Sequence, residues 1–271
     1  IMWVTEQLSI QAACLKNNSD RPWVRDTLPT AYPRKFPTIL DLAISSDIRR
    51  AIHLLHSGEP LVIQTQNVFG LMIDASKSEN VRRALVKKGK DGNEPVALML
   101  PDATWICNHI DTSKVDSFTA RMLKVPTQVD TLIEDRLMLR FPIRPDLSLH
   151  SGLASGLSGN QIVQALVFGD QTPGLKGFIK ELSSLGMIAG VTSFNEHGEK
   201  SITDLSPAII QMERFGLGAV ITTGARRLTS QIGSFDIVSL ESEGPALIRK
   251  GNFLAAHPQQ EGVWPFPRSK G

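Results

Sequence analysis

The chain has 271 residues, 41% of them apolar and 21% charged, with a formal net charge of +2. That is enough apolar residue to bury a core, and the charge is too small to argue by itself for a nucleic-acid partner. No stretch approaches the roughly 18 to 20 consecutive apolar residues that span a bilayer, so we expect a soluble, cytoplasmic protein with no membrane partner.

Two cysteines, Cys14 and Cys107, make no disulfide framework and no CxxC pair, which fits a reducing compartment. The six histidines are scattered, and the only close pair, His53 and His56, lies three apart on a predicted helix, where lone histidines are more often solvated or satisfied in the core, so no metal site is expected.

Residues 1–38, with Pro22, Pro29, Pro33 and Pro37, read as an extended N-terminal arm, and residues 39–271 as one domain. Ser45-Ser46-Asp47 supplies capping chemistry for "IRRAIHLLH", with Gly58 just beyond, so a helix is predicted at about 47–57. "PLVIQT" then reads as a buried strand and "SENVRRALVKK" as a helix at about 78–88. "PVALML" is a strand, followed by helices near 102–110 and 113–124 and the strand 135–143. "RPDLSLHSGLASGLSGN" (144–160) is rich in Ser and Gly. It lacks the GxxxxGK[ST] ending and GxGxxG and misses the GxSxG elbow by one position, so it reads as a flexible loop. Strands at 162–168 and 187–193 flank a helix at about 174–185. A helix at about 204–215, then "GAVITT", "FDIVSL" and "PALIRKG", complete a mixed α/β pattern with helices packed on a sheet.

Three features call for a site. The strand "PLVI" ends in Gln64, Thr65, Gln66 and Asn67 before Val68-Phe69-Gly70-Leu71, a burst of amide and hydroxyl groups that serves either a side-chain-closed hairpin turn or a binding site. Lys88 and Lys90 stand at a helix end, where they meet the helix dipole or an anion. Ser193 and Asn195, with Phe194 between them, lie on the same side of an extended strand end.

The order of these pieces resembles the YrdC family, the threonylcarbamoyl-AMP synthases. Members begin with a strand ending PTDTVYGL or PTEAVFG, then a helix ending KxR, then a strand. "GVTSFNEHGEKSITDL" (190–205) resembles the family's TSAN.SG segment, with Thr192, Ser193, Asn195 and Gly198 in place. "ITTGARRLTSQIGSFDIVSLESEGPALIRKGNF" (221–253) resembles its closing stretch, STIVDL then LRxGA. The resemblance covers about 45–125 and 161–253. It implies an open mixed twisted sheet with surrounding helices and a large central cavity.

It also implies an enzyme that joins an amino acid, bicarbonate and ATP with Mg²⁺ into a carbamoyl adenylate and pyrophosphate. In that frame Lys88, Lys90 and Thr65 are the catalytic candidates, Ser193, Asn195 and Arg249 contact the nucleotide, and Gln64, Gln66, Asn67, Phe235 and Asp236 face the small-molecule acceptor. Several positions depart from the family. Gln64 stands for proline and Gln66 for the acidic residue, Phe235-Asp236-Ile237 or, shifted by one, Ser234-Phe235-Asp236 stands for STI, Phe168-Gly169 falls where the family has arginine, and Glu94 falls at a family lysine. Two alternatives follow: a cavity reassigned to another small molecule without ATP, or a non-catalytic nucleotide- or RNA-binding module, the last prompted by Arg82, Arg83 and Lys87.

Overall fold

A computed structural model describes residues 37–251 apart from 66–67, 91, 93–94, 134–136, 148, 157–160, 170–171, 197–198, 224–233 and 241–243. Residues 1–36 of the predicted arm at 1–38 and the candidates Gln66 and Asn67, with Glu94, lie outside the described residues.

The strands are β1 (Thr38–Asp41), β2 (Leu61–Gln64), β3 (Phe69–Asp74), β4 (Ala97–Leu100), β5 (Leu137–Pro142), β6 (Ala154–Ser155), β7 (Ile162–Val167), β8 (Ala189–Ser193), β9 (Ala219–Thr222), β10 (Asp236–Ser239) and β11 (Ala246–Arg249). They form one sheet in the order β1-β9-β2-β3-β8-β4-β7-β5-β10-β11, with β6 paired to β7. Pairing is mixed: β4 runs parallel to β7, for example, while β8 is antiparallel to both β3 and β4. The helices are α1 (Ser45–His56), α2 (Ser78–Lys87), α3 (Thr104–His109), α4 (Ser117–Met122), α5 (Pro126–Ile133), α6 (Pro173–Ser184) and α7 (Leu205–Phe215).

Strand alternation sorts the core into two layers. Leu98 and Leu100, Leu137, Leu139 and Phe141, and Val163, Ala165 and Val167 face one side, where α2, α5 and α7 cover them with Leu85, Ile133 and Met212. Met72, Ala97, Met99, Met138 and Leu166 face the other, under α1 and α6 with Leu55, Phe178 and Leu182. On this second face α1 packs against β1, β2 and β3, and α6 against β4 and β8. The same face of β7, β5, β10 and β11 continues past them and lines the cavity described below.

The predicted elements from 45 to 110 and from 162 to 249 are present, with ends within a few residues. Three are new. β1 pairs in parallel with β9 from Thr38 onward, so the strand straddles the boundary drawn at residues 38 and 39. The single helix read at 113–124 is a 3-10 turn (Thr112–Lys114) followed by α4, which Asp116 caps by accepting from the N–H groups of Phe118 and Thr119 at 2.9 and 3.1 Å. Helix α5 follows with Pro126 in its first turn.

The described part of the Ser/Gly-rich stretch, read from sequence as a flexible loop, contains β6 and is tied down by side chains. His150 Nε2 meets Ala75 O at 2.9 Å, its Nδ1 accepts from Gly152 N at 3.1 Å, and the Gln161 amide bonds both N and O of Leu149. With Nδ1 accepting, Nε2 is the protonated nitrogen that donates to Ala75.

His109 stacks on Trp105 at 4.4 Å between ring centroids, and its Nδ1 lies 2.7 Å from Trp105 O. Burial holds the His109 pKa below its ordinary 6.5, against the opposing pull of the Trp105 carbonyl. The folded chain therefore binds fewer protons than the unfolded chain just below pH 6.5, and this group's contribution is lost as pH falls through that window. The melting temperature is expected to drop between pH 7 and pH 5.5, and His109→Gln to reduce that drop. An equal drop in both proteins excludes His109 as its source.

Candidate functional site

The β2–β3 connection is a hairpin, with Gln64 opposite Phe69. Thr65 closes it: its Oγ1 donates to Val68 O at 2.6 Å and accepts from Val68 N at 3.2 Å. The hydroxyl proton of this candidate catalytic residue is thus committed to the turn, although Thr65 borders the cavity. Gln64 shares a strand face with Val62, which packs in the layer under α2, α5 and α7, and it is not among the residues lining the cavity.

Helix α2 ends in a turn that aims its two lysines differently. Gly89 takes φ +77°, Gly89 N donates to Val86 O at 2.9 Å and Lys90 N to Leu85 O at 2.9 Å, the paired bonds of a Schellman ending. Lys88 turns inward, 5% exposed, and its Nζ donates to the carbonyl of Ser193 and, at 2.9 Å, to Ser193 Oγ. Lys90 lines the cavity. A Cβ on Gly89 meets nothing within 4 Å, so only the left-handed backbone resists substitution. Gly89→Ala is expected to cost about 1 kcal/mol, read as a small loss in urea denaturation, and to weaken any anion held by Lys90. Unchanged stability would show that the turn relaxes without penalty.

The cavity has a volume of about 460 Å³ and gathers residues far apart in sequence: Thr65, Lys90, Ser193, Asn195, Phe235 and Arg249 all line it. Its floor is apolar, from Ala97, Met138, Leu166, Val191 and Ile237, and its walls are polar. Among the described residues the side chains of Gln164, Thr192, Ser201 and Ser234, which also line it, have no hydrogen-bond partner. Thr192 stood in the matched segment 190–205 and Ser234 in the shifted match to STI, whereas Gln164 and Ser201 drew no attention in the sequence. For Gln164 a signal existed, since it is a lone amide within the apolar strand "IVQALV".

Asn195 Nδ2 donates to Glu196 O at 3.1 Å and to Glu199 O at 2.7 Å. On the opposite wall Arg249 Nη2 donates to Phe235 O at 3.0 Å. Lost hydration lowers the Arg249 pKa and the Asp236 charge raises it, the first effect being larger. Asp236 itself is fully buried and does not line the cavity; its Oδ1 accepts from Gly251 N.

Other groups fall outside the site. Burial, with Asp130 close by, pushes the Cys107 thiol up to about 11, so it is no nucleophile at neutral pH. The basic cluster is met within the protein: Arg82 pairs with Glu79 at 2.9 Å, Lys87 with Glu59 at 3.5 Å, and Arg83 bonds Asn80 at 3.4 Å.

For magnesium, the described residues hold no group of three or more His, Cys, Asp or Glu side chains that would cage an ion. Glu199 is the carboxylate lining the cavity, and it suits an ion that arrives with nucleotide phosphates and keeps most of its water. No helix among the described residues is long and apolar enough to cross a membrane.

An open, twisted, mixed sheet with helices on both faces and a cavity over one half of one face defines a mixed α/β fold. The family Sua5–YciO–YrdC, described as telomere recombination, matches residues 53–251, and the chain belongs to it. Solved structures agree on the fold. Sua5 of P. abyssi complexed with L-threonine superposes with a TM-score of 0.59 at 18% identity, covering 80% of this chain and 58% of that one. E. coli YciO gives 0.58 at 16% identity, with 80% and 94% covered. Full-length HypF in its phosphate- and nucleotide-bound form gives 0.55 at 16%, with 77% and 29% covered. The chain thus spans 58% of the length of that Sua5 chain. No curated protein sequence matches it.

Proposed function

We propose that the cavity binds ATP, accompanied by Mg²⁺, and performs a divergent form of the threonylcarbamoyl-AMP synthase reaction. The observation that carries this reading is that one cavity joins Lys90, Ser193, Asn195 and Arg249, which come from three separate stretches of the chain. A volume of about 460 Å³ lies within the usual range of small-molecule sites, roughly 300–1,000 Å³.

In the reaction an amino-acid nitrogen forms a C–N bond to bicarbonate carbon with loss of water. The resulting carbamate oxygen then attacks the α-phosphorus, and pyrophosphate leaves with its electron pair. Lys90 and Arg249 supply positive charge for phosphates and carboxylate, and the Ser193 hydroxyl donates to an anionic oxygen. Gln164, Ser201 and Ser234 offer further donors and acceptors for the nucleotide and the acceptor substrate. Magnesium bound to the nucleotide neutralises charge on the departing pyrophosphate.

The acceptor is expected to differ from threonine. Phe235 lines the cavity together with Met138, Leu166 and Ile237 of the floor, and this apolar surface poorly matches a hydroxylated side chain. The same surface favours the second reading, a cavity reassigned to another small molecule without ATP.

The test is pyrophosphate release from ATP in the presence of bicarbonate and a panel of amino acids and small amines. Release that requires both bicarbonate and one of the amines supports the reading. ATP binding without release under any combination would point to the non-catalytic alternative.

A further inference from the structure

The cavity has two helix-end lysines beside it, and only one of them lines it. Lys88 is 5% exposed, is not among the cavity-lining residues, and spends donors on the Ser193 carbonyl and, at 2.9 Å, on Ser193 Oγ. We infer that Lys88 is a positioning residue. It acts on a bound anion through Ser193: its ammonium occupies the acceptor side of the Ser193 hydroxyl and leaves the O–H to donate to a phosphate or carboxylate oxygen in the cavity. The identity of that anion rests on the function proposed above.

The chemistry leaves little choice of roles. An ammonium has only donors, whereas a hydroxyl has one proton and two lone pairs, so in the Lys88–Ser193 contact the serine oxygen must accept. Its proton is then the group left over, and among the described residues it has no acceptor. Ser193 is exposed and borders the cavity. Accepting from a buried cation also polarises the O–H and strengthens its donation to an anion.

The local backbone holds the pair in place. The Gly89 turn fixes where Lys88 leaves the helix, and Ser193 ends β8 opposite Gly70 of β3. A Cβ at Gly70 would stand 2.7 Å from Val191 Cγ2, so a side chain there would push on the strand pair beside Ser193. A direct cation, Lys90, and an indirect one, Lys88, therefore serve one anion from the two ends of a three-residue turn.

A double-mutant cycle separates this role from direct contact. Binding of inorganic pyrophosphate, and separately of ATP with magnesium, is measured by calorimetry for the wild-type chain, Lys88→Met, Ser193→Ala and the double variant. Lys88→Gln, which keeps a neutral donor, stands in should the methionine variant fail to fold. Each single change is expected to weaken binding about tenfold, and the double variant no further than the worse single, while Ser193→Thr retains binding. Losses that multiply, to about a hundredfold in the double, would show that Lys88 meets the anion itself and overturn the inference. So would Ser193→Ala binding as the wild type. Pyrophosphate binding with the non-additive pattern but no ATP binding would leave this inference standing and remove the ATP reading. Failure of the wild type to bind either probe would remove both.

Discussion

Gly251→Ala is expected to be the most damaging single-methyl substitution beside the cavity, where Gly251 packs against the backbone of the lining residues Ser234 and Phe235. A Cβ on Gly251 would overlap the backbone of Ser234, Phe235 and Asp236, and backbone atoms cannot rotate away as a side-chain tip can. The chain would have to retreat from β10, giving up the bond from Gly251 N to Asp236 Oδ1. The cost is about 3 kcal/mol, a fall of roughly 6–12 °C in melting temperature for a chain of this size. Because Arg249 lies two residues before and donates to Phe235 O, the same shift displaces the cavity's second cation. Gly186→Ala is the control: Gly186 has φ +76° but nothing within 4 Å of an added Cβ. It should lose only about 1 kcal/mol. Equal losses in the two variants would show that the close approach at Gly251 is easily relieved.

Asp236→Ala is expected to follow closely. The carboxylate is 0% exposed, accepts from Gly251 N, and lies near enough to Arg249 to raise that group's pKa. Truncation leaves a buried N–H without its acceptor and Arg249 without a neighbouring negative charge, a loss of about 2–3 kcal/mol. Asp236→Asn keeps an acceptor oxygen and should lose about half as much in stability, so that denaturation curves rank wild type, Asn and Ala in that order. Asp236→Ala as stable as wild type would mean that the carboxylate is dispensable to the β10–β11 edge. Asp236 was read from sequence as facing substrate. The structure places it behind the wall as a clamp, because Phe235 and Ile237 take the cavity side of the strand and alternation sends Asp236 to the other.

Alternation and capping made most of the fold legible. "PVALML" divides cleanly into Leu98 and Leu100 against Ala97 and Met99, and α1 and α2 carry their apolar stripe and glycine stop in the sequence itself. Strand β1 was hidden because its only partner among the described residues, β9, comes some 180 residues later, and four residues after a proline-rich stretch give no local period. Helix α5 was hidden by its start: Pro126 opens it without a Ser, Thr or Asp cap, although Val129 and Ile133 are spaced for one buried face.

The site was half legible. Lys90, Ser193, Asn195 and Arg249 stood out as polar groups at element ends, where sequence pattern and family resemblance agree. Met138, Gln164, Leu166 and Ile237 did not. They sit in the middle of strands, and only the sheet order, which brings β7, β5 and β10 together beyond the reach of α6, opens their face to a ligand. Thr65 shows the opposite case: a hairpin and a cavity border were posed as rivals, and the residue serves both.

The central claim is that this cavity holds ATP, and calorimetric titration of ATP with magnesium into the intact chain tests it most directly, with Lys90→Ala, Asn195→Ala and Arg249→Ala alongside. The account predicts micromolar binding, about −8 kcal/mol, weakened in all three variants. Absence of heat and of any thermal shift with every adenine nucleotide, in a wild-type chain shown to be folded, would contradict it and leave the cavity to a ligand that meets the apolar floor and the hydroxyl and amide groups around it.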